Sequence, residues 1–96
     1  MRSVQDIQRT LAANKVQLFA KYDIKQMGIF GSYARNQQNE QSDIDILVDF
    51  QKPVGIEFID LALELEKILQ KKVDLVSRNG LKPKYLKSIA DELSYV

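Results

Sequence analysis

Cysteine and histidine are both missing from this chain of 96 residues. Without cysteine there is no disulfide, no thiolate metal ligand and no thiol nucleophile. Without histidine there is no imidazole general base, no histidine-ligated zinc and no Ser-His-Asp triad within the chain. A metal held here must rest on oxygen ligands, which suits magnesium or manganese better than zinc. Long apolar runs are missing too. No stretch is fit to cross a bilayer and the N-terminus has no apolar signal core, so no membrane association and a cytoplasmic location are expected. Nor does one sign of charge dominate. Fourteen basic residues face thirteen acidic ones, for a formal net charge of +1. With no arginine-rich tail and no dense basic patch, direct nucleic-acid binding is not expected. What remains is an ordinary globular mixture, 45% hydrophobic and 28% charged, without repeats or low-complexity tracts. At this length a single domain over 1–96 is expected, with a core small enough that surface helices need a partner.

The hydrophobic pattern divides the chain into alternating helices and strands. Val4, Ile7, Leu11, Val16, Phe19 and Tyr22 recur at helical spacing and predict one amphipathic helix over 4–22, opened by a capping-box-like Ser3 and Asp6. A short apolar run from Met27 to Phe30 predicts a strand, followed by a turn and short helix over 32–37 and a polar loop over 36–41. From Asp43 to Phe50 the pattern alternates. Ile44, Ile46, Val48 and Phe50 share one face, and Asp43, Asp45, Leu47 and Asp49 the other. Pro53 and Gly55 break the chain before a helix over 56–69 whose apolar residues cover more than one narrow stripe, so that it is expected to pack on the sheet and against something else as well. Val73 to Ser77 predicts a further strand, Asn79-Gly80 a turn, and Pro83 the start of a last helix carrying Tyr85, Leu86, Ile89, Ala90 and Leu93. The fold class expected is α/β (α+β): a small mixed sheet of three to four strands with helices packed on it.

The chemistry concentrates in two short segments, Gly28-Ile29-Phe30-Gly31-Ser32-Tyr33-Ala34-Arg35 and Ser42-Asp43-Ile44-Asp45-Ile46-Leu47-Val48. Side chains two apart on a strand point the same way, so Asp43 and Asp45 can share divalent ions, and Asp74 on a neighbouring strand can add a third carboxylate. Like charges this close repel, and a bound cation relieves that cost. Gly31 permits close backbone approach, and Ser32 offers a hydroxyl and an N–H at a helix start, to cap the helix, to hold phosphate oxygens, or to do both. The segment is not a Walker loop, because the long glycine-rich stretch and the Lys-Ser/Thr pair are absent. Arg35 either contacts phosphate or pairs with an acidic neighbour. Asp49 lies on the carboxylate face, but beyond Leu47, and is assigned no ligand role.

Gly31-Ser32-Tyr33-Ala34-Arg35 followed by Ser42-Asp43-Ile44-Asp45, with Asp74 in Lys72-Val73-Asp74-Leu75-Val76, resembles the signature of the DNA polymerase beta superfamily of nucleotidyltransferases. The nearer resemblance is to its minimal members, the MNT domains. In motifs it spans roughly 25–77, and the element order extends it to most of the chain. Where many members place glycine after the arginine, this chain has Asn36, a residue that accepts the left-handed conformation. The resemblance implies a polymerase-beta-like core in which Asp43, Asp45 and Asp74 are catalytic and bind Mg2+ or Mn2+, while Gly31, Ser32 and Arg35 hold the phosphates of ATP. It further implies an antitoxin that transfers AMP from ATP to a tyrosine of a HEPN-domain toxin. Two other readings stay open: a non-catalytic antitoxin that masks the toxin, and nucleotidyl transfer to a small molecule or an RNA end. A hetero-complex or a homodimer is expected over an isolated monomer.

Overall fold

The computed structural model describes residues 3–96. Helix α1 (Val4–Ala13) starts where Ser3 Oγ accepts the Asp6 N–H at 3.2 Å and the Asp6 carboxylate accepts the Ser3 N–H at 3.1 Å, closing the anticipated capping box. The single helix expected over 4–22 is in fact two. Asn14 leaves the helical region, and its side-chain amide donates to the Thr10 carbonyl at 2.9 Å, ending α1 before α2 (Lys15–Tyr22) begins. Asparagine competes for backbone partners in this way, so a helical pattern can run through a break that it does not reveal. The core stripe follows Ile7, Leu11, Leu18 and Tyr22, whereas Val16 is 83% exposed.

Asp23, in the left-handed conformation, turns the chain into β1 (Ile24–Phe30). This strand begins three residues before the apolar run because its ladder is irregular between Ile24 and Gln26, which leaves the polar Lys25 and Gln26 exposed and gives them the look of a loop. A one-turn helix α3 (Gly31–Ala34) and the loop after it lead to β2 (Ile44–Phe50). Helix α4 (Glu57–Leu69) crosses back to β3 (Val73–Ser77). A 3-10 turn (Arg78–Gly80) and α5 (Pro83–Ala90), with proline at its start, precede a two-residue strand β4 (Ser94–Tyr95). β4 has no periodicity to betray it. Its presence fixes the sheet at four strands in the order β3-β2-β1-β4, with β2 and β3 parallel and the other neighbours antiparallel.

One face of the sheet carries the core. Ile24, Met27 and Ile29 of β1, and Ile44, Ile46, Val48 and Phe50 of β2, meet the inner stripes of α1, α2 and α4. Leu61, Leu65 and Leu69 of α4 are fully enclosed, and truncating such a leucine to alanine generally costs about 2–5 kcal/mol. Glu64 fastens α4 to α2, accepting from Lys21 Nζ and from the Tyr22 hydroxyl at 2.8 Å each. Those two donors, Lys21 first, hold the Glu64 carboxyl below the usual carboxylate range. The outer side of α4 is different. Ile56, Ile59 and Leu63 are 71%, 58% and 59% exposed, a helical stripe left uncovered among the described residues. The surplus of apolar residues expected on this helix is therefore real and faces outward. Among the described residues, no helix is long and apolar enough to cross a membrane.

Candidate functional site

The second face of the sheet carries the site. β1 ends at Phe30, and Gly31 turns the chain with φ +77°, a region that disfavours any side chain. The space beside Gly31 is also taken. A Cβ there would overlap the Oδ2 atom of Asp45 and lie 2.9 Å from its Cγ. Tyr33, 2% exposed, drops into the core and roots α3. The turn closes through backbone bonds from Arg35 to Gly31 (3.1 Å), Asn36 to Tyr33 (3.1 Å) and Gln37 to Ser32 (2.8 Å). Asn36 stands at φ 57°, so it does supply the left-handed step that glycine would. Ser32 is not the cap of α3. The capping position belongs to Phe30, with no side-chain cap bond, which removes the capping alternative for the serine.

The carboxylates come from the start of β2 and from β3. In the loop before β2, Ser42 Oγ accepts the Asn39 N–H at 3.0 Å, and Asn39 Oδ1 accepts the Gln41 N–H at 2.8 Å. Asp43 sits just ahead of the strand, which starts one residue later than the alternation suggests. Asp45 lies between two neighbours in the ladder, Phe30 of β1 and Asp74 of β3. The Asp45–Asp74 register makes them side-by-side residues of adjacent parallel strands. Asp74 is exposed, while Asp43 and Asp45 are half-buried. Burial raises the Asp45 carboxyl to about 6. The neighbouring Asp74 and the charge of Asp43 push the same way, and Arg35 pulls weakly against them. An acid in this position favours keeping a proton or gaining a cation. Among the described residues, no three acidic side chains gather into a group ready to hold a metal ion.

The surrounding residues complete the geometry. Arg35 Nη1 pairs with Glu92 Oε2 at 2.9 Å and its Nε donates to Gln37 Oε1 at 3.1 Å, so the arginine has its acidic neighbour. Asp49 meets Arg78 at 3.9 Å, away from the carboxylate pair. Glu92 and Tyr33 had no signal in the sequence. Glu92 lies 57 positions from Arg35, and the tyrosine looks like any turn residue.

Comparison with known proteins bears on this geometry. The family described as "Nucleotidyltransferase domain" matches over residues 13–96. The protein adenylyltransferase MntA of Thermococcus cleftensis is 39% identical over 97 residues, covering the whole of this chain and 98% of that protein. A solved structure provisionally described as a minimal nucleotidyltransferase is 30% identical, with a TM-score of 0.82, over 97% of this chain and 95% of the other. A chain from a complex of the tri-AMPylated Shewanella oneidensis HEPN toxin with its MNT antitoxin shares the fold at 22% identity, with a TM-score of 0.68, over 93% of this chain and 70% of the other. The mixed four-stranded sheet with helices packed on it is the fold that this chain shares with those structures. On the extent of that agreement, from residue 13 to the C-terminus, the chain belongs to the nucleotidyltransferase domain family, among its minimal, MntA-type members.

Proposed function

We propose that this protein is an antitoxin enzyme of the cytoplasm that moves AMP from ATP onto a tyrosine of a HEPN-domain toxin. The observation that carries the reading is the pairing of Asp45 with Asp74 in adjacent strands, directly beneath the Gly31 turn. The Thermococcus cleftensis relative is a protein adenylyltransferase, and the Shewanella oneidensis complex joins an MNT antitoxin to an AMPylated HEPN toxin.

Asp43, Asp45 and Asp74 offer only hard oxygen donors, a set that fits Mg2+ and, second, Mn2+. The described residues hold no ready-made cage of three carboxylates, and magnesium is usually held by one or two carboxylates together with substrate phosphates. When bound, the ions supply charge neutralisation at the phosphates and at the developing oxyanions. The chain's own groups do the rest. Gly31 and Ser32 present backbone to the phosphates, and Arg35 keeps N–H donors for them beyond the two that bind Glu92 and Gln37. Asp74, the exposed carboxylate, accepts the proton of the tyrosine hydroxyl as its oxygen bonds to the α-phosphorus. The bond from that phosphorus to pyrophosphate breaks, and pyrophosphate leaves. The exposed Ile56–Ile59–Leu63 stripe gives the partner, the toxin or in its absence a second copy of the chain, an apolar surface.

The test is transfer of label from α-labelled ATP to the neighbouring toxin in the presence of magnesium. The reading requires transfer by the native protein and none by an Asp43→Ala/Asp45→Ala double variant that still binds toxin. Neutralisation retained by that variant would favour the masking reading, to which the exposed stripe also lends itself.

A further inference from the structure

The last five residues of the chain brace the proposed phosphate turn from both sides. Ahead of the turn, β4 pairs with β1 through Gly28↔Tyr95 and Ile29↔Ser94, and the Val96 N–H donates to the Met27 carbonyl at 2.9 Å. Gly28 makes room for this, since a Cβ there would lie 3.1 Å from the Leu93 side chain and 3.3 Å from the Tyr95 ring. Behind the turn, Glu92 holds Arg35. Glu92 is itself fixed by backbone, its N–H donating to the Ile89 carbonyl at 3.1 Å at the end of α5.

The two partners differ in exposure. The Glu92 side chain is 19% exposed and that of Arg35 is 48%. The carboxylate is thus the sheltered, fixed member, and the guanidinium is the accessible one. An arginine left to itself samples many rotamers, and a ligand that needs it must first immobilise it. Here Nη1 and Nε are already engaged, which leaves Nη2 and one Nη1 hydrogen free to donate. The guanidinium also belongs to the turn that covers the site, because the Arg35 N–H donates to the Gly31 carbonyl at 3.1 Å and Gly31 lies against the Asp45 carboxylate. A surface ion pair contributes little to stability in general, so a stabilising role alone does not explain a carboxylate fixed at this point.

We infer that Glu92 is a positioning residue for nucleotide binding, which holds the Arg35 guanidinium at the rim of the carboxylate site so that it meets the triphosphate already ordered. The inference rests on the proposed ATP site. It makes the C-terminal segment part of the site, although the motif that reveals the site ends near residue 77. Removing the Glu92 carboxylate leaves Arg35 in place but mobile, which weakens ATP binding by about fivefold, the loss expected for one rotamer-rich side chain that must be ordered on binding.

The experiment is a double-mutant cycle on the full chain, reading the Kd of a fluorescent ATP analogue with magnesium and the kcat of AMP transfer at saturating ATP. Glu92→Ala is expected to raise Kd about fivefold with kcat nearly unchanged. Glu92→Gln, which keeps an acceptor for Arg35, is expected to recover part of the loss. In an Arg35→Met background, Glu92→Ala is expected to change Kd by less than twofold. Melting curves of all variants within a few degrees of native show that folding is not the cause. An unchanged Kd in Glu92→Ala, or an equal loss in both backgrounds, overturns the inference while leaving the ATP site standing. Native protein that binds no analogue at all overturns the proposed site and this inference with it.

Discussion

Replacing Asp45 by asparagine should make the metal-free protein more stable while abolishing its activity. The carboxyl of Asp45 is raised from 3.8 to about 6 by burial and by the neighbouring Asp74 and Asp43. A folded-state value above the unfolded one means that ionisation opposes folding. The stabilising contribution of the protonated carboxyl is fully present below about pH 3.8, declines between there and about 6, and is lost above that, where the penalty of the ionised form is complete. The full shift would correspond to about 3 kcal/mol, and solvent screening of a half-buried group reduces it to about 1–2 kcal/mol. For a domain of this size, that is a rise in Tm of about 5–10 °C. Asparagine keeps the shape and removes the charge. The gain should therefore appear at pH 7–8 in a chelator, shrink as the pH falls through 6, and vanish near pH 4. Thermal melts of both proteins across that range, with EDTA present, provide the measurement. If asparagine is neutral or destabilising at pH 8, or if the difference does not depend on pH, then Asp45 is not a strained carboxylate and the electrostatic account of the site fails.

Two other substitutions test the geometry. Gly31→Ala combines a left-handed backbone, worth about 1–2 kcal/mol against a side chain, with an overlap on Asp45. It should cost about 2 kcal/mol or more in a denaturant titration and reduce AMP transfer at least tenfold. Native-like activity in this variant would show that Asp45 can move without consequence. Leu63→Lys changes a residue that is 59% exposed, so stability should shift by less than about 0.5 kcal/mol. Toxin capture, read by calorimetry, should weaken at least tenfold, and unchanged affinity would place the partner elsewhere.

The parts of this protein that were legible in its sequence are those governed by local rules. Asp43 and Asp45 share a face because strand side chains alternate, and the Gly31 turn sits between two apolar runs that have to be strands. The α4 and β3 boundaries follow from periodicity within one residue. Where the pattern misled, a local interaction left the hydrophobic period untouched. Asn14 breaks a helix by capping it with its own side chain, and the irregularity after Ile24 disguises the start of β1. β4 is too short to carry any period, and its pairing is decided by Gly28, sixty-odd residues earlier in the chain. Contacts such as Glu92 with Arg35 depend on the return of the C-terminus and have no local trace.

The structure also changes the reason for the glycine. In sequence, Gly31 is explained by the close approach of backbone to a phosphate. In the fold, its missing Cβ is required by a residue of the protein itself, because that volume holds the Asp45 carboxylate. The turn and the aspartate are thus one device. The turn covers Asp45 and contributes to the burial that raises its proton affinity, and the register of β3 adds Asp74 at its side. Water alone would satisfy an exposed aspartate at this position, and a cation would gain little by binding it. A partly desolvated one beside a second carboxylate is left with a deficit that a proton or a cation can fill, so the glycine that makes room for Asp45 in this turn also sets up its raised proton affinity. The two variants Gly31→Ala and Asp45→Asn should therefore be non-additive. Once the carboxylate charge is gone, the electrostatic part of the glycine's effect has nothing to act on, and the backbone strain of about 1–2 kcal/mol and the overlap with the side chain at position 45 remain to be measured.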